Sequence, residues 1–156
     1  MSTPEQIVRL AAKGDGVTAS GRHVVGAVPG DRVDESGAIT PGPHHQVPLC
    51  RHFGTCGGCQ LQHADDEALS DFVRDRVLHA ARGQGMDPGE LLAVHLSPPH
   101  TRRRAGLHGL RTARGAVLGY REGGSHRVID LAECPVLHPA LAALIAPLRQ
   151  FVAAHG

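Results

Sequence analysis

Cys50, Cys56 and Cys59 fall within ten residues, in Cys50-Arg-His-Phe-Gly-Thr-Cys56-Gly-Gly-Cys59-Gln-Leu-Gln-His63. The fourth cysteine, Cys134, is separated from them by 74 residues and is followed by Pro135. Three thiolates in one loop repel one another and oxidise unless they are occupied. Gly57 and Gly58, between the last pair, let the backbone wrap closely around something. Zinc sites usually draw on two closely spaced pairs, each forming a knuckle along one tetrahedral edge. Here there is one C-x2-C pair, a third cysteine six residues upstream and one remote partner. That pattern suits the four corners of a 4Fe–4S cube, with zinc as the rival. Compact bacterial ferredoxins gather their cysteines within one run, so a staple between loop and distant segment is expected here rather than an electron carrier.

The N-terminal Met-Ser-Thr-Pro-Glu-Gln-Ile-Val-Arg-Leu lacks the basic flank and apolar run of a signal peptide. No stretch approaches the ~18 apolar residues of a transmembrane helix. The expectation is a cytoplasmic protein with no membrane partner. In that compartment thiols stay reduced, and an even cysteine count points to metal before disulfides.

The elements that must position these cysteines are short. Aromatic residues make up 3% of the 156-residue chain and Trp is absent, so the core relies on Val, Leu, Ile and Ala. Residues 5–33 read as strands punctuated by glycine, which favours a small barrel or curled sheet. Gly14-Asp-Gly16 is a hairpin turn, because no helix pattern follows as a phosphate loop requires. Residues 34–48, with three prolines and two glycines, read as the boundary between domains 1–46 and 47–156. The adjacent His44 and His45 point apart and are expected in solvent rather than on a metal.

One helix is predicted over about 66–82, capped by Asp65 or Asp66 and ended by Gly83 and Gly85. Leu69, Phe72, Val73, Val77, Ala80 and Ala81 form its apolar stripe. Beyond residue 90, Leu91–Leu96, Arg102–Thr112, Ala116–Arg121 and His126–Leu131 read as strands, the last three forming an antiparallel meander. Residues 139–155 are helical, with Pro147 kinking the helix or starting a second one. The fold class is α+β, mainly β.

Net charge is only +1, but its distribution is uneven. From Arg102 to Arg127 there are seven arginines and one acid, whereas Asp65 to Glu90 holds seven acids and three arginines. Arginine forks onto phosphates and stacks on exposed bases. The candidate RNA-binding residues are Arg102, Arg103 and Arg104, alternating between faces of a strand, and Arg121, His126 and Arg127 around the Gly123-Gly124 turn. With so few aromatics, Phe53 and Tyr120 are expected in the core, and base stacking is not the main mode of binding.

Cys50-x5-Cys56-Gly-Gly-Cys59-x-Leu-Gln-His63 resembles the cluster loop of the bacterial RNA (uracil-5-)-methyltransferases that modify uridines in 23S ribosomal RNA. The start of the chain, with Gly14-x-Gly16-Val17 and Ala27-Val-Pro-Gly30-Asp31, is similar to the TRAM domain of these enzymes. Residues 102–109 are similar to the first strand of their central domain, and 118–141 to the segment carrying the fourth cluster cysteine. The resemblance implies a small OB-like TRAM β-barrel that binds RNA. It also implies a central sheet-and-helix domain stapled by a 4Fe–4S cluster on Cys50, Cys56, Cys59 and Cys134. For the whole enzyme it implies S-adenosylmethionine as methyl donor to uridine C5.

Two departures from the family pattern set further expectations. After Pro29-Gly-Asp the chain reaches Cys50 without the usual further TRAM strands. The family's Rossmann-like S-adenosylmethionine domain has no counterpart, since no glycine-rich turn joins a predicted strand to a helix. Family enzymes add a cysteine thiolate to uracil C6 and remove the C5 proton with a carboxylate base. With four cysteines on the cluster, none is left for that attack. The expectation is an N-terminal portion without catalytic residues, continuing into or pairing with a methyltransferase domain. The alternative is a stand-alone RNA-binding module stapled by zinc or Fe–S.

Overall fold

A computed structural model describes residues 3–156. They form two compact units, one comprising the described residues up to Val47 with Leu61–Leu96, the other Pro48–Gln60 with Ser97–Gly156. A single cut after residue 46 does not describe this grouping. The cysteine loop leaves the first unit and the chain then returns to it.

The first unit is a five-stranded antiparallel sheet with a helix. Its strands are β1 (Glu5–Leu10), β2 (Gly16–Thr18), β3 (His23–Val24), β4 (Arg32–Val33) and β5 (Ile39–Thr40), in the order β3-β2-β1-β4-β5. Period-2 alternation puts Ile7, Val17, Val24 and Val33 inside, where Ile7, Val24 and Val33 form a core with Ala27. Gly16 must be glycine, since a Cβ there would stand 2.7 Å from the Ala27 carbonyl oxygen. The expected hairpin at Gly14–Gly16 forms, with Ala11 N donating to Asp15 O at 2.7 Å. β3 and β5 are the edges of the strand order. Arg22 donates from one side of the sheet to the Asp34 and Glu35 carbonyls at 2.9 and 3.4 Å.

Residues 34–48 are more ordered than a linker, because β5 lies within them and the buried Asp31 anchors them. The Asp31 carboxylate accepts from Val28 N (2.9 Å) and Gly42 N (2.7 Å), and His45 Nδ1 lies 2.8 Å from it. His44 reaches Asp65 at 3.0 Å. The two histidines do point apart, each onto a carboxylate rather than into solvent.

Helix α1 (Asp66–Gly83) starts where predicted, with Asp65 accepting from Ala68 N at 2.8 Å. Its Ala68, Leu69 and Phe72 pack with Leu10, Val28 and Ala64, which is why the helix belongs to the first unit. The stripe is covered only in part: Val73 and Val77 are exposed. Leu91–Leu96 forms no strand.

The second unit is built on a hairpin of β6 (His108–Thr112) and β7 (Gly115–Gly119), turned by Ala113-Arg114. The third meander segment runs alongside β7 without regular ladder geometry, through Leu131 N to Leu118 O and Ile129 N to Tyr120 O, both 2.9 Å. Arg102–Leu107 is not strand, apart from one bridge between Arg102 and Leu137. The expected alternation of Arg102, Arg103 and Arg104 therefore has no strand beneath it. Helices α2 (Pro139–Ala142) and α3 (Ile145–His155) follow. Pro147 sits in the first turn of α3, where its missing N–H costs nothing, and so belongs to a second helix rather than a kink. Leu118, Leu131, Leu137 and Ile145 form the core. Arg149 ties α3 to Asp130 (Nε, 3.0 Å) and to the Leu131 carbonyl (Nη2, 2.6 Å).

Candidate metal centre

All four cysteines lie in the second unit, each half-buried and none in a disulfide. The loop carrying three of them is held by its own turns and by the strand end after β7. Phe53 N donates to Cys50 O (3.0 Å) and Cys56 N to His52 O (2.8 Å). Cys56 bridges Glu122 in antiparallel fashion, and Gly57 N donates to Arg121 O at 2.9 Å. Gly58 N points at Cys56 Sγ, 3.4 Å away.

The two glycines are explained by what lies beneath them. A Cβ on Gly57 would stand 2.7 Å from Arg121 O, and one on Gly58 would stand 3.0 Å from the Tyr120 ring. The close approach expected of this pair is to residues 120–122.

Cys134 comes from a segment remote in sequence. Its segment is held by His100 N to Pro135 O (2.8 Å), Arg102 N to Val136 O (3.1 Å) and His138 N to Arg102 O (2.9 Å). Cys56 and Cys134 both pack on the Leu118–Leu131–Leu137–Ile145 core. Burial pushes the Cys50 thiol pKa up, and the charges of Cys134, Cys56 and Cys59 push it further. Among the described residues, no group of three or more His, Cys, Asp or Glu side chains could hold a single metal ion.

Protein contacts already join the loop to the Cys134 segment. Arg51 Nη2 reaches Glu133 Oε2 at 2.9 Å, and Ala132 N donates to His52 Nε2 at 3.1 Å. The Arg51 bond holds the Glu133 carboxyl pKa below its ordinary value. Sequence reasoning missed this clamp. Its signal was present as opposite charges one residue from Cys50 and one residue before Cys134.

The candidate RNA-binding side chains Arg102, Arg103, Arg104, Arg121, His126 and Arg127 are all exposed. Arg121 and Arg127 come together around the Gly123-Gly124 turn, where Glu122 N donates to Arg127 O at 2.8 Å. Arg127 also pairs weakly with Glu122, at 4.0 Å. Arg102 lies apart from that turn in sequence but beside Tyr120, whose ionisation its guanidinium affects.

The fold and the site define a unit that carries all four cysteines and a small antiparallel β unit, both with exposed arginines. No family model matches the chain. It is 42% identical over 148 residues to an uncharacterised RNA methyltransferase of Zymomonas mobilis, covering 95% of this chain and 37% of that protein. A second relative is the 23S rRNA (uracil(1939)-C(5))-methyltransferase RlmD of Halomonas elongata. It is 39% identical over 145 residues, covering 83% of this chain and 30% of RlmD. An uncharacterised RNA methyltransferase of Brucella suis is 43% identical over 108 residues, 69% of this chain and 26% of the relative. Over the matched residues the chain belongs with these RNA methyltransferases. It spans well under half the length of the relatives it matches.

Among the described residues, no helix is long and apolar enough to cross a membrane.

Proposed function

We propose that this chain is the RNA-binding, 4Fe–4S-holding portion of a cytoplasmic, S-adenosylmethionine-dependent RNA methyltransferase that modifies uridine C5, with 23S ribosomal RNA as substrate. The observation that carries the reading is the 39% identity to the Halomonas 23S rRNA uracil-C5 methyltransferase over most of this chain. In this reading the first unit includes the TRAM-like RNA-binding part and the second is the central domain.

Cys50, Cys56, Cys59 and Cys134 would hold the cluster. Their chemistry fits it, because one unit carries four half-buried thiol side chains, none of them in a disulfide. When bound, the cluster supplies a covalent cross-link between the loop and the Cys134 segment. The Arg51–Glu133 and His52–Ala132 contacts orient the two segments toward each other.

Arg102, Arg103, Arg104, Arg121, His126 and Arg127 would engage RNA phosphates. The four cysteines being committed to the cluster, the nucleophile, the base and the methyl-donor site are assigned to the remainder of the longer enzyme.

Anaerobic purification with metal and sulfide analysis tests the cluster. About four iron and about four acid-labile sulfide per chain are expected. One zinc with no sulfide overturns the cluster and favours the zinc-stapled RNA-binding module.

A further inference from the structure

Tyr120 is the one tyrosine of the chain. It follows β7, and its ring lies against the turn between Cys56 and Cys59: a Cβ on Gly58 would stand 3.0 Å from Cδ2 and 3.3 Å from Cε2. Like Cys56 and Cys134, it packs against the Leu118–Leu131–Leu137–Ile145 core of the second unit. The phenol oxygen is buried and has no hydrogen-bond partner among the described residues. Arg102 acts on that oxygen from nearby. A guanidinium only donates, however, so it can never accept the phenolic hydrogen. Burying a hydroxyl with its hydrogen unspent is costly, and such a group marks a missing acceptor.

We propose that Tyr120 donates its phenolic hydrogen bond to a sulfur of the cage held by Cys50, Cys56, Cys59 and Cys134. This inference rests on the cluster reading above and adds a specific role within it. Tyr120 is a positioning and tuning residue: it touches the cluster and takes no part in methyl transfer. A hydrogen bond to sulfur disperses negative charge and favours the more electron-rich state, so it raises the reduction potential.

Because the tyrosine is unique, replacing all tyrosine by 3,5-difluorotyrosine during expression alters this side chain alone. The fluorinated phenol is a stronger donor, whereas Tyr120→Phe removes the donor and keeps the ring. The experiment measures iron, sulfide and midpoint potential, by redox titration followed by electron paramagnetic resonance, on the full chain. The wild type should contain iron and sulfide. Against it, Tyr120→Phe should shift the potential downward and the difluorotyrosine protein upward, at unchanged metal content. Equal potentials in all three, with the cluster intact, overturn the role of Tyr120 and leave the cluster standing. If Tyr120→Phe fails to hold iron, the sign of the difluorotyrosine shift decides. A wild type holding zinc and no sulfide overturns both the cluster and this inference.

Discussion

At Gly57 a Cβ would stand 2.7 Å from the Arg121 carbonyl and 3.2 Å from Gly123 N. Both neighbours are backbone, so neither can swing aside. Gly57→Ala should push the cysteine loop off residues 121–123, with a cost of about 1–3 kcal/mol by analogy with overpacked cores. It should also lower iron retention. Gly123→Ala is the control, since nothing lies within 4 Å of a Cβ there, and its unfolding midpoint should match the wild type. Equal midpoints for the two variants would sink the argument. Cys134→Ser should cost most of the iron while leaving the fold's antiparallel hairpin detectable by circular dichroism. The tight Gly57-Gly58 approach was legible because two adjacent glycines between cysteines leave room for another backbone. The Arg51–Glu133 clamp and the buried Tyr120 hydroxyl were not, since 81 residues separate Arg51 from Glu133 and a lone tyrosine carries no periodicity.

Among the elements, α1 shows what the pattern could and could not tell. Its cap, its length and its apolar stripe followed from local rules that need no tertiary information. Which unit it packs on did not, because Ala68, Leu69 and Phe72 would suit either core. The strand expected from Arg102 fails for a similar reason. Alternation fits the sequence, but Arg102 N donates to Val136 O and Arg102 O accepts from His138 N, holding the backbone beside the Cys134 segment instead. The start of α1 also carries a pH dependence. His44, bonded to Asp65 with Glu67 at 3.9 Å, has its pKa raised, first by the Asp65 hydrogen bond. Burial works against Asp65's charge, but the Ala68 amide and His44 outweigh it and lower its pKa. A raised histidine stabilises fully below its unfolded value of about 6.5, and the gain is lost as pH rises through the folded value. A lowered aspartate stabilises above about 3.9 and loses that gain as pH falls through its folded value. The helix start is therefore firmest between about pH 4 and pH 6.5. Thermal unfolding followed by helix circular dichroism should show His44→Gln losing less stability than the wild type between the acid and alkaline sides of neutrality. Parallel curves would remove His44 from the account. Asp65→Ala should cost about 0.5–2 kcal/mol as a lost cap.

For the whole molecule, a net charge of +1 gives almost no long-range attraction to a polyanion. The RNA binding proposed for the chain must then come from local contacts, and those are countable. Each arginine placed on a phosphate releases counterions, and removing one should flatten the dependence of log affinity on log salt by roughly one or somewhat less. Arg103 and Arg104 are exposed and, among the described residues, make no ion pair with an acid. Arg102 is different, since its backbone is bonded to the Cys134 segment and its guanidinium lies beside Tyr120. Arg103→Ala with Arg104→Ala should therefore weaken binding to a single-stranded ribosomal RNA fragment and reduce the salt slope by one to two units at roughly one per contact. Iron content should not change. Arg102→Ala should instead disturb the absorption of the proposed cluster as well as binding. Fluorescence titrations at several salt concentrations separate the two outcomes. An unchanged slope in the double variant would mean that RNA lies on another face, with the Arg121–Arg127 turn next in line for the same measurement.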